Sequence, residues 1–171
     1  DIFSAKLRVA GALLYSRIPQ ISLGVQHKRN RDFAVPQALG AENKNGTDFY
    51  LSAGKMFFAA VAGRNLYLNS TLRYTDANET GLLGFGGPKG GRSFVLEGSA
   101  VLFLKDRWVL GYDYRQKPDH LDSVRESDWQ DIFVGYFPSK RFSVVAAYAD
   151  LDEIAGLPDQ TGTYVSLQFA L

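Results

Sequence analysis

Apolar and polar residues alternate with a period of two along most of the chain. Between residues 19 and 27, for example, polar residues or glycine separate Ile21, Leu23 and Val25. Successive side chains of a β-strand point to opposite faces, so this segment predicts a strand with one aliphatic and one polar face. The same alternation recurs in seven further segments, near residues 3–9, 65–74, 94–102, 108–115, 131–136, 142–148 and 165–171. It is less clean near residues 48–58, where Lys55 shares a face with Phe49, Leu51 and Phe57.

The lengths of these segments and of the links between them indicate the fold class. About ten residues per strand suits a tilted strand that crosses a bilayer. Short links are predicted near 14–18, 59–64, 104–107 and 138–141, and long polar links near 29–47, 76–92, 116–128 and 150–162. Short turns that alternate with long outer loops are typical of an antiparallel up-and-down transmembrane β-barrel. The sequence therefore predicts an all-β protein, with residues 1–171 forming a single barrel domain; a lipocalin-like barrel comes near the same pattern.

Charge and composition narrow the class of protein. The short links carry six basic residues and one acidic residue, a balance of +5, whereas the last two long loops are acidic. The whole chain has a net charge of +1, which predicts no nucleic-acid partner. The chain has no cysteine and no apolar run of about 18 residues, so it forms no disulfide and no transmembrane helix.

The number of predicted strands is odd, and bacterial barrels usually have an even number. A barrel in lipid leaves no edge unpaired. We therefore expect this chain to be the C-terminal portion of a longer barrel, with at least one upstream strand, or a protein partner, covering the N-terminal edge.

Charged residues on the predicted polar faces are candidates for an interior network. A charge that faces lipid near the midplane costs about 2–4 kcal/mol, so these side chains are expected to face the lumen. Their nearly balanced signs favour a paired, space-filling network over a filter of one sign, and a polar plug without transport remains open. The predicted network comprises Lys6, Arg8, Arg73, Glu97, Asp113, Arg115 and Asp131.

The stretch GLLGFGGPKGGR at residues 81–92 resembles a phosphate loop only in composition. Phosphate-binding glycine loops open a helix, whereas a predicted strand follows this stretch. We interpret it as an outer loop whose glycines supply positive φ angles. Its apolar residues Leu82, Leu83 and Phe85 are candidates for contact with the barrel mouth, lipid or a partner.

The sequence contains no motif for catalysis or for a cofactor. His27 and His120 lie in or beside different long loops, and no G-x-S-x-G motif is present. The acidic segment DLDEIAGLPD at 150–159 lacks the spacing of a calcium loop. We predict no catalytic residues, no metal ligands and no cofactor.

Several segments resemble a family of Gram-negative proteins that is catalogued only as a domain of unknown function. The most specific are TDANETGLLGFGG at 75–87 and YRQKPD followed by DW at 114–129. The resemblance covers nearly the whole chain and implies that it corresponds to the C-terminal part of longer barrel-like proteins. It implies no catalytic residues.

Together these features predict a protein of the bacterial outer membrane, in contact with its lipid and lipopolysaccharide. A narrow porin-like pore for small solutes is the first functional hypothesis. The alternative is a non-conducting structural or interaction barrel with a filled lumen, whose long outer loops bind a partner. An outer-membrane enzyme is a third hypothesis, disfavoured because no nucleophile and base are paired in the sequence.

Overall fold

The computed structural model describes residues 1–170 and forms one antiparallel sheet of nine strands. Each strand pairs with its neighbours in the sequence, from the first to the ninth, so the topology is up-and-down. The strands are β1 (Ile2–Ala10), β2 (Gln20–Arg29), β3 (Asn45–Val61), β4 (Arg64–Thr75), β5 (Ser93–Phe103), β6 (Trp108–Arg115), β7 (Trp129–Tyr136), β8 (Phe142–Asp150) and β9 (Thr161–Phe169). The predicted all-β class and strand order are confirmed.

The links differ in part from the prediction. Three links at one end are short, at residues 62–63, 104–107 and 137–141, but the link between β1 and β2 spans residues 11–19. That link is nearly as long as the loop at 151–160 on the other end. Link length therefore does not alternate as strictly as the sequence indicated. Strand direction alone assigns the loops at 30–44, 76–92, 116–128 and 151–160 to one end, called here the loop end.

The nine-stranded sheet is open, so the up-and-down strand order is observed without closure into a barrel. Pairing runs from β1 to β9, and no ladder joins these two edge strands within residues 1–170. In the same part of the chain, no helix is long and apolar enough to cross a membrane. The one α-helix among the described residues, α1 (Ala34–Ala38), is a short turn in the loop between β2 and β3.

The sheet exposes its apolar face and covers its polar face, which is the reverse of the arrangement in a soluble protein. One face, the apolar face, exposes large hydrophobic side chains on every strand, among them Leu23, Leu51, Leu72, Leu96 and Ile132. The other, the polar face, buries small polar or charged side chains, among them Ser22, Asp48, Ser52, Thr71 and Ser143. The alternation predicted from the sequence is thus confirmed, with the polar residues on the covered side.

Aromatic pairs lie at both ends of the apolar face. Trp108 and Tyr136 stack with ring centroids 4.6 Å apart at the end opposite the loops. Tyr74 and Phe94 lie 4.7 Å apart at the loop end. Along β4, the eight steps from Leu66 to Tyr74 span about 27 Å. An aliphatic band of this length therefore lies between aromatic residues at its two ends.

The hydrophobic core lies among the loops. Ala41, Leu83, Leu121 and Val124 are buried together, and Phe33 and Leu39 pack against them. Phe85 is fully buried and exchanges backbone hydrogen bonds of 2.9 and 3.0 Å with Asn43. These contacts join three loops into one packed layer, the loop layer, which comprises residues 30–44, 76–92 and 116–128.

This packing changes the interpretation of the glycine-rich stretch. Leu83 and Phe85 are internal to the loop layer, so of the three predicted contact residues only Leu82, which is 68% exposed, can reach another molecule. Gly84 has a φ of 76°, as predicted for a turn. A Cβ on Gly87 would lie 2.4 Å from the carbonyl oxygen of His120, so this glycine allows two loops to approach closely.

Candidate functional site

A ladder of ion pairs crosses five strands on the polar face. Lys28 on β2 lies 2.7 Å from Asp48 on β3, which in turn lies 3.3 Å from Arg73 on β4. Arg73 contacts Glu97 on β5 at 2.7 Å, and Glu97 contacts Arg115 on β6 at 2.9 Å. We call these five residues the charge ladder. Each carboxylate lies between two cations, so every charge in the ladder has a partner of opposite sign.

The geometry of the charge ladder is that of a fixed network. Arg73 forms a two-point contact with Glu97, from Nε to Oε1 at 2.7 Å and from Nη2 to Oε2 at 3.0 Å. Asp48 is 1% exposed and also accepts a 2.5 Å hydrogen bond from the Thr75 hydroxyl. Lys28 donates to the backbone carbonyl of Thr80 at 3.0 Å and so connects the ladder to the loop layer. Paired and hydrogen-bonded charges of this kind hold neighbouring strands of the sheet in a fixed arrangement.

The structure brings together only part of the predicted network. Arg73, Glu97 and Arg115 belong to the charge ladder, as expected. Asp113 and Asp131 are directly opposite each other on β6 and β7, and neither forms an ion pair within residues 1–170. Like charges directly opposite each other destabilise a strand pair. The single network predicted from the sequence is therefore replaced by a paired ladder and a separate carboxylate pair.

The two carboxylates line a cavity of about 270 Å³ on the polar face. The cavity also borders Glu97 and Arg115 of the charge ladder, together with Asn69, Ser99, Trp129 and Gln130. One oxygen of Asp131, Oδ1, is buried without a hydrogen-bond partner. This part of the interior is polar, roomy and negatively charged.

Lys6 and Arg8 lie on the polar face of the edge strand β1. The ammonium of Lys6 lies 5.9 Å from the ring centroid of Tyr50. The Arg73 guanidinium lies 4.9 Å from the same centroid. Within the described chain, no carboxylate forms an ion pair with Lys6 or Arg8. They are the only two predicted network cations that the structure leaves without a carboxylate in residues 1–170.

Lys28 and Asp48, the most buried members of the charge ladder, were not among the residues predicted from the sequence. Lys28 falls just beyond the strand predicted at 19–27, and Asp48 falls at the start of the less clean segment at 48–58, whereas β2 continues to Arg29 and β3 begins at Asn45. The signal was present, because Lys28 is in phase with Gly24 and Gln26 on the polar face. Asp48 is paired with Gln26 on the neighbouring strand.

A second charged cluster is buried in the loop layer. The Lys117 ammonium forms an ion pair with Glu79, and both side chains are 1% exposed. The backbone N–H of Glu79 donates to Glu126 Oε2 at 2.6 Å. Lys117 also lies 4.0 Å from the ring centroid of Trp129. These contacts join the loop at 76–92 to the loop at 116–128.

Burial dominates the ionisation of this cluster. It raises the pKa of Glu126 to about 8, although the hydrogen bond from the Glu79 backbone opposes the shift. Burial also raises the pKa of Glu79 and lowers the pKa of Lys117, because the loss of hydration outweighs their mutual attraction. The protonation states of Glu126, Glu79 and Lys117 therefore affect the stability of the loop layer.

The structure also joins a serine and a histidine that are distant in sequence. Ser93 Oγ and His120 Nε2 are hydrogen-bonded at 2.9 Å, and His120 is 3% exposed. Burial lowers the pKa of His120 and favours its neutral form. This hydrogen bond fastens the loop at 116–128 to the start of β5. His27 lies elsewhere, with Nδ1 hydrogen-bonded to the Thr47 hydroxyl at 2.9 Å.

Comparison with protein families now identifies the chain. A family model described as "Protein of unknown function (DUF3034)" matches residues 1–168. The chain belongs to the DUF3034 family. This confirms the resemblance to a family of unknown function. Comparisons with curated proteins and with solved structures gave no match. The charge ladder and the loop layer are therefore known from the structure of this DUF3034 chain alone.

Proposed function

We propose that this DUF3034 chain forms the wall of an outer-membrane β-barrel, with its apolar face in lipid and its polar face lining a narrow passage for small hydrophilic solutes. The observation that carries the proposal is the arrangement of the faces. Large hydrophobic side chains are exposed on every strand, while the charges of the ladder are largely covered. In water this arrangement exposes a large continuous apolar surface, whereas in a bilayer it buries that surface.

Two further features support a bilayer as the solvent. The aromatic pairs at the two ends of the apolar face occupy the positions expected at membrane interfaces. The band between them is about 27 Å along a strand, and a strand tilt of about 35–45° converts this length to a height of roughly 20 Å, of the same order as the roughly 25 Å apolar band of outer-membrane barrels. In this proposal the exposed Leu82 at the loop end contacts lipopolysaccharide or a protein at the outer surface.

The second candidate is a non-conducting barrel with a filled lumen. It is favoured by the loop layer, whose buried Phe85 and Leu121 form a packed cover at one end of the sheet. The charge ladder also occupies interior space with paired side chains. In this alternative, the outer surface of the loops binds a partner, and no solute passes.

Membrane fractionation followed by planar-bilayer recording tests both candidates. The full-length natural protein is expressed in a Gram-negative host, and its location and heat-modifiable migration in detergent are measured. Recovery in the outer membrane with discrete conductance supports the pore, and recovery without conductance supports the filled barrel. Recovery in a soluble fraction overturns both.

Charge-ladder variants make the conductance test specific. If the passage runs beside the ladder, Arg115→Ala widens it and increases single-channel conductance. Lys140→Ala, at the link between β7 and β8, is the matched control and leaves conductance unchanged. A passage elsewhere in the barrel predicts no difference between the two variants.

A further inference from the structure

Ser93 and His120 have the geometry of a nucleophile and its general base. The Ser93 hydroxyl and His120 Nε2 are 2.9 Å apart, and a base that activates a serine lies within roughly 2.6–3.2 Å of its oxygen. The contact joins the start of β5 to the loop at 116–128, across 27 positions of the sequence. A nucleophile and a base that are unpaired in the sequence are therefore paired in the folded chain.

A structural role alone leaves part of His120 unexplained. The side chain is 3% exposed, and burial lowers the pKa of His120, which favours the neutral imidazole that a general base requires. When Nε2 of a neutral imidazole accepts the serine proton, Nδ1 carries a hydrogen. Nδ1 is buried and has no hydrogen-bond partner within residues 1–170. A buried donor without a partner is costly, and a serine–histidine contact does not offset that cost.

Asp76 is the carboxylate that acts most strongly on this imidazole. Its charge is the largest effect that opposes the lowering of the pKa of His120, ahead of the charge of Asp119. Asp76 Oδ1 is also buried without a hydrogen-bond partner, while Oδ2 lies 3.4 Å from Arg92 Nη2. Catalytic hydrogen bonds are often loose before substrate binds and tighten in the complex. Asp76 is therefore in a position to orient the His120 ring.

The glycines before Ser93 leave the site open to solvent at the loop end. Gly91 and Arg92 are exposed, and a Cβ on Gly91 would meet no atom within 4 Å. A Cβ on Gly90 would approach only the His120 ring, at 3.8 Å. The N–H groups of Gly91 and Arg92 donate no backbone hydrogen bond within residues 1–170. Free N–H groups beside a nucleophile stabilise the oxyanion that forms during acyl transfer.

We propose that Ser93, His120 and Asp76 form a hydrolase site for small carboxylic esters, with Ser93 and His120 as catalytic residues and Asp76 positioning His120. The Ser93 oxygen attacks the ester carbonyl while its proton passes to His120 Nε2, and the N–H groups of Gly91 and Arg92 stabilise the oxyanion. The bond to the leaving alcohol then breaks, and the alcohol takes the proton from Nε2. Water gives a proton to the same nitrogen, hydrolyses the acyl-enzyme to a carboxylic acid and restores Ser93.

The surroundings of Ser93 indicate the class of ester. The approach to the hydroxyl lies over glycines, which present no side chain to hold a long acyl chain. The next residue, Phe94, is 66% exposed on the opposite, apolar face. A short acyl chain therefore suits the site better than a fatty acyl chain. The inference goes beyond the proposed passage and does not depend on a membrane location, because the residues beside Ser93 are exposed at the loop end.

Covalent labelling tests the nucleophile. The full-length natural protein is treated with a fluorophosphonate, which modifies serines that a base activates, and the modified peptide is mapped by mass spectrometry. We expect a label on Ser93 and none on Ser123, an exposed serine whose hydroxyl donates to the Leu39 carbonyl instead of contacting a histidine. An unmodified Ser93, or equal labelling of both serines, overturns the proposal. The label is read on the unaltered chain, so the result does not depend on whether a variant folds.

Hydrolysis of p-nitrophenyl esters tests the activity and the substrate class. Ser93→Ala and His120→Gln should each lower kcat/KM for p-nitrophenyl acetate by about 100-fold or more. Ser123→Ala is the matched control and should leave it unchanged. Equal activity in Ser93→Ala and the parent overturns the proposal, and faster hydrolysis of the palmitate ester than of the acetate contradicts the short acyl chain.

The pH profile of kcat/KM separates positioning by Asp76 from a purely structural role. The charge of Asp76 raises the pKa of His120, so Asp76→Asn should lower kcat and shift the rising limb of the profile to lower pH. Asp119→Asn, which removes a charge with a smaller effect on His120, should shift the limb less. A profile that is unchanged in Asp76→Asn contradicts the role given to Asp76.

Discussion

Arg73 and Glu97 are joined by two hydrogen bonds of 2.7 and 3.0 Å across β4 and β5, at a place where both side chains are largely covered. Arg73 also reaches back to Asp48 at 3.3 Å. The pair is thus the centre of the charge ladder and connects its two carboxylates. Removing either residue leaves a covered charge without its main partner, which is costly in a protein interior.

A double-mutant cycle measures this coupling. Glu97→Ala should lower the free energy of unfolding by on the order of 3 kcal/mol, since Arg73 and Arg115 both lose their shared carboxylate. Arg73→Ala together with Glu97→Ala should cost less than the sum of the single losses. Denaturant titration in detergent, followed by tryptophan fluorescence, provides the free energies.

The control for this cycle is Arg115→Ala with Asp113→Ala. Both residues lie on β6, but Arg115 pairs with Glu97 rather than with Asp113. Their losses should therefore add within a few tenths of a kcal/mol. Strong coupling in this control would contradict the separation between the charge ladder and the carboxylate pair.

An arginine introduced at the same depth on the two faces of the sheet should have different effects on assembly. Leu68 is exposed on the apolar face, whereas Ser99 borders the cavity next to Asp113, its pairing partner. In a bilayer, Leu68→Arg should cost about 2–4 kcal/mol and reduce assembly. Ser99→Arg should be tolerated or stabilising, because its guanidinium meets carboxylates. Heat-modifiable migration after refolding into lipid vesicles measures both, and equal losses would contradict the assigned faces.

Gly24 determines the position of Tyr50 under the charge ladder. A Cβ at Gly24 would lie 2.0 Å from the Tyr50 ring, whose centroid lies 4.9 Å from the Arg73 guanidinium. Gly24→Ala should therefore displace the ring and lower stability by about 1–3 kcal/mol. Gly98→Ala is the control, because its Cβ would meet only an atom at 3.7 Å. Thermal unfolding in detergent compares them, and similar melting temperatures would show that Tyr50 is free to move.

The stability of the loop layer should depend on pH through Glu126. Its pKa is raised to about 8 in the folded protein, above its ordinary value of 4.5. The folded state therefore binds this proton more tightly than the unfolded state. Its stabilising contribution is complete below about pH 4.5 and is lost as pH rises through about 8.

Glu126→Gln should remove this dependence, because the amide oxygen still accepts the hydrogen bond from the Glu79 backbone and carries no charge. Proteolysis of the loop at 116–128, compared between the variant and the parent at pH 6 and pH 9, measures the effect. We expect the parent to be cut faster at pH 9 and the variant to be equally resistant at both. Asp122→Asn, at an exposed position in the same loop, controls for the loss of one negative charge.

The sequence alone was sufficient for the strands and their faces, because period-two alternation is a local property of the backbone. The aromatic strand pairs Tyr74–Phe94 and Trp108–Tyr136 lie near the ends of the strands. The polar face also followed from phase alone, and it correctly included Arg73, Glu97 and Arg115. Local periodicity, however, carries no information on which polar residues are adjacent across strands.

Tertiary structure decided the pairing and the loops. Asp48 became the partner of Lys28 and Arg73 only because β2, β3 and β4 align at a particular register, which depends on hydrogen bonding between strands. Phe85 became buried, and Ser93 met His120, because three loops distant in sequence fold onto one another. Such contacts depend on the summed packing of remote segments, whereas alternation along a strand depends only on the direction in which successive side chains point.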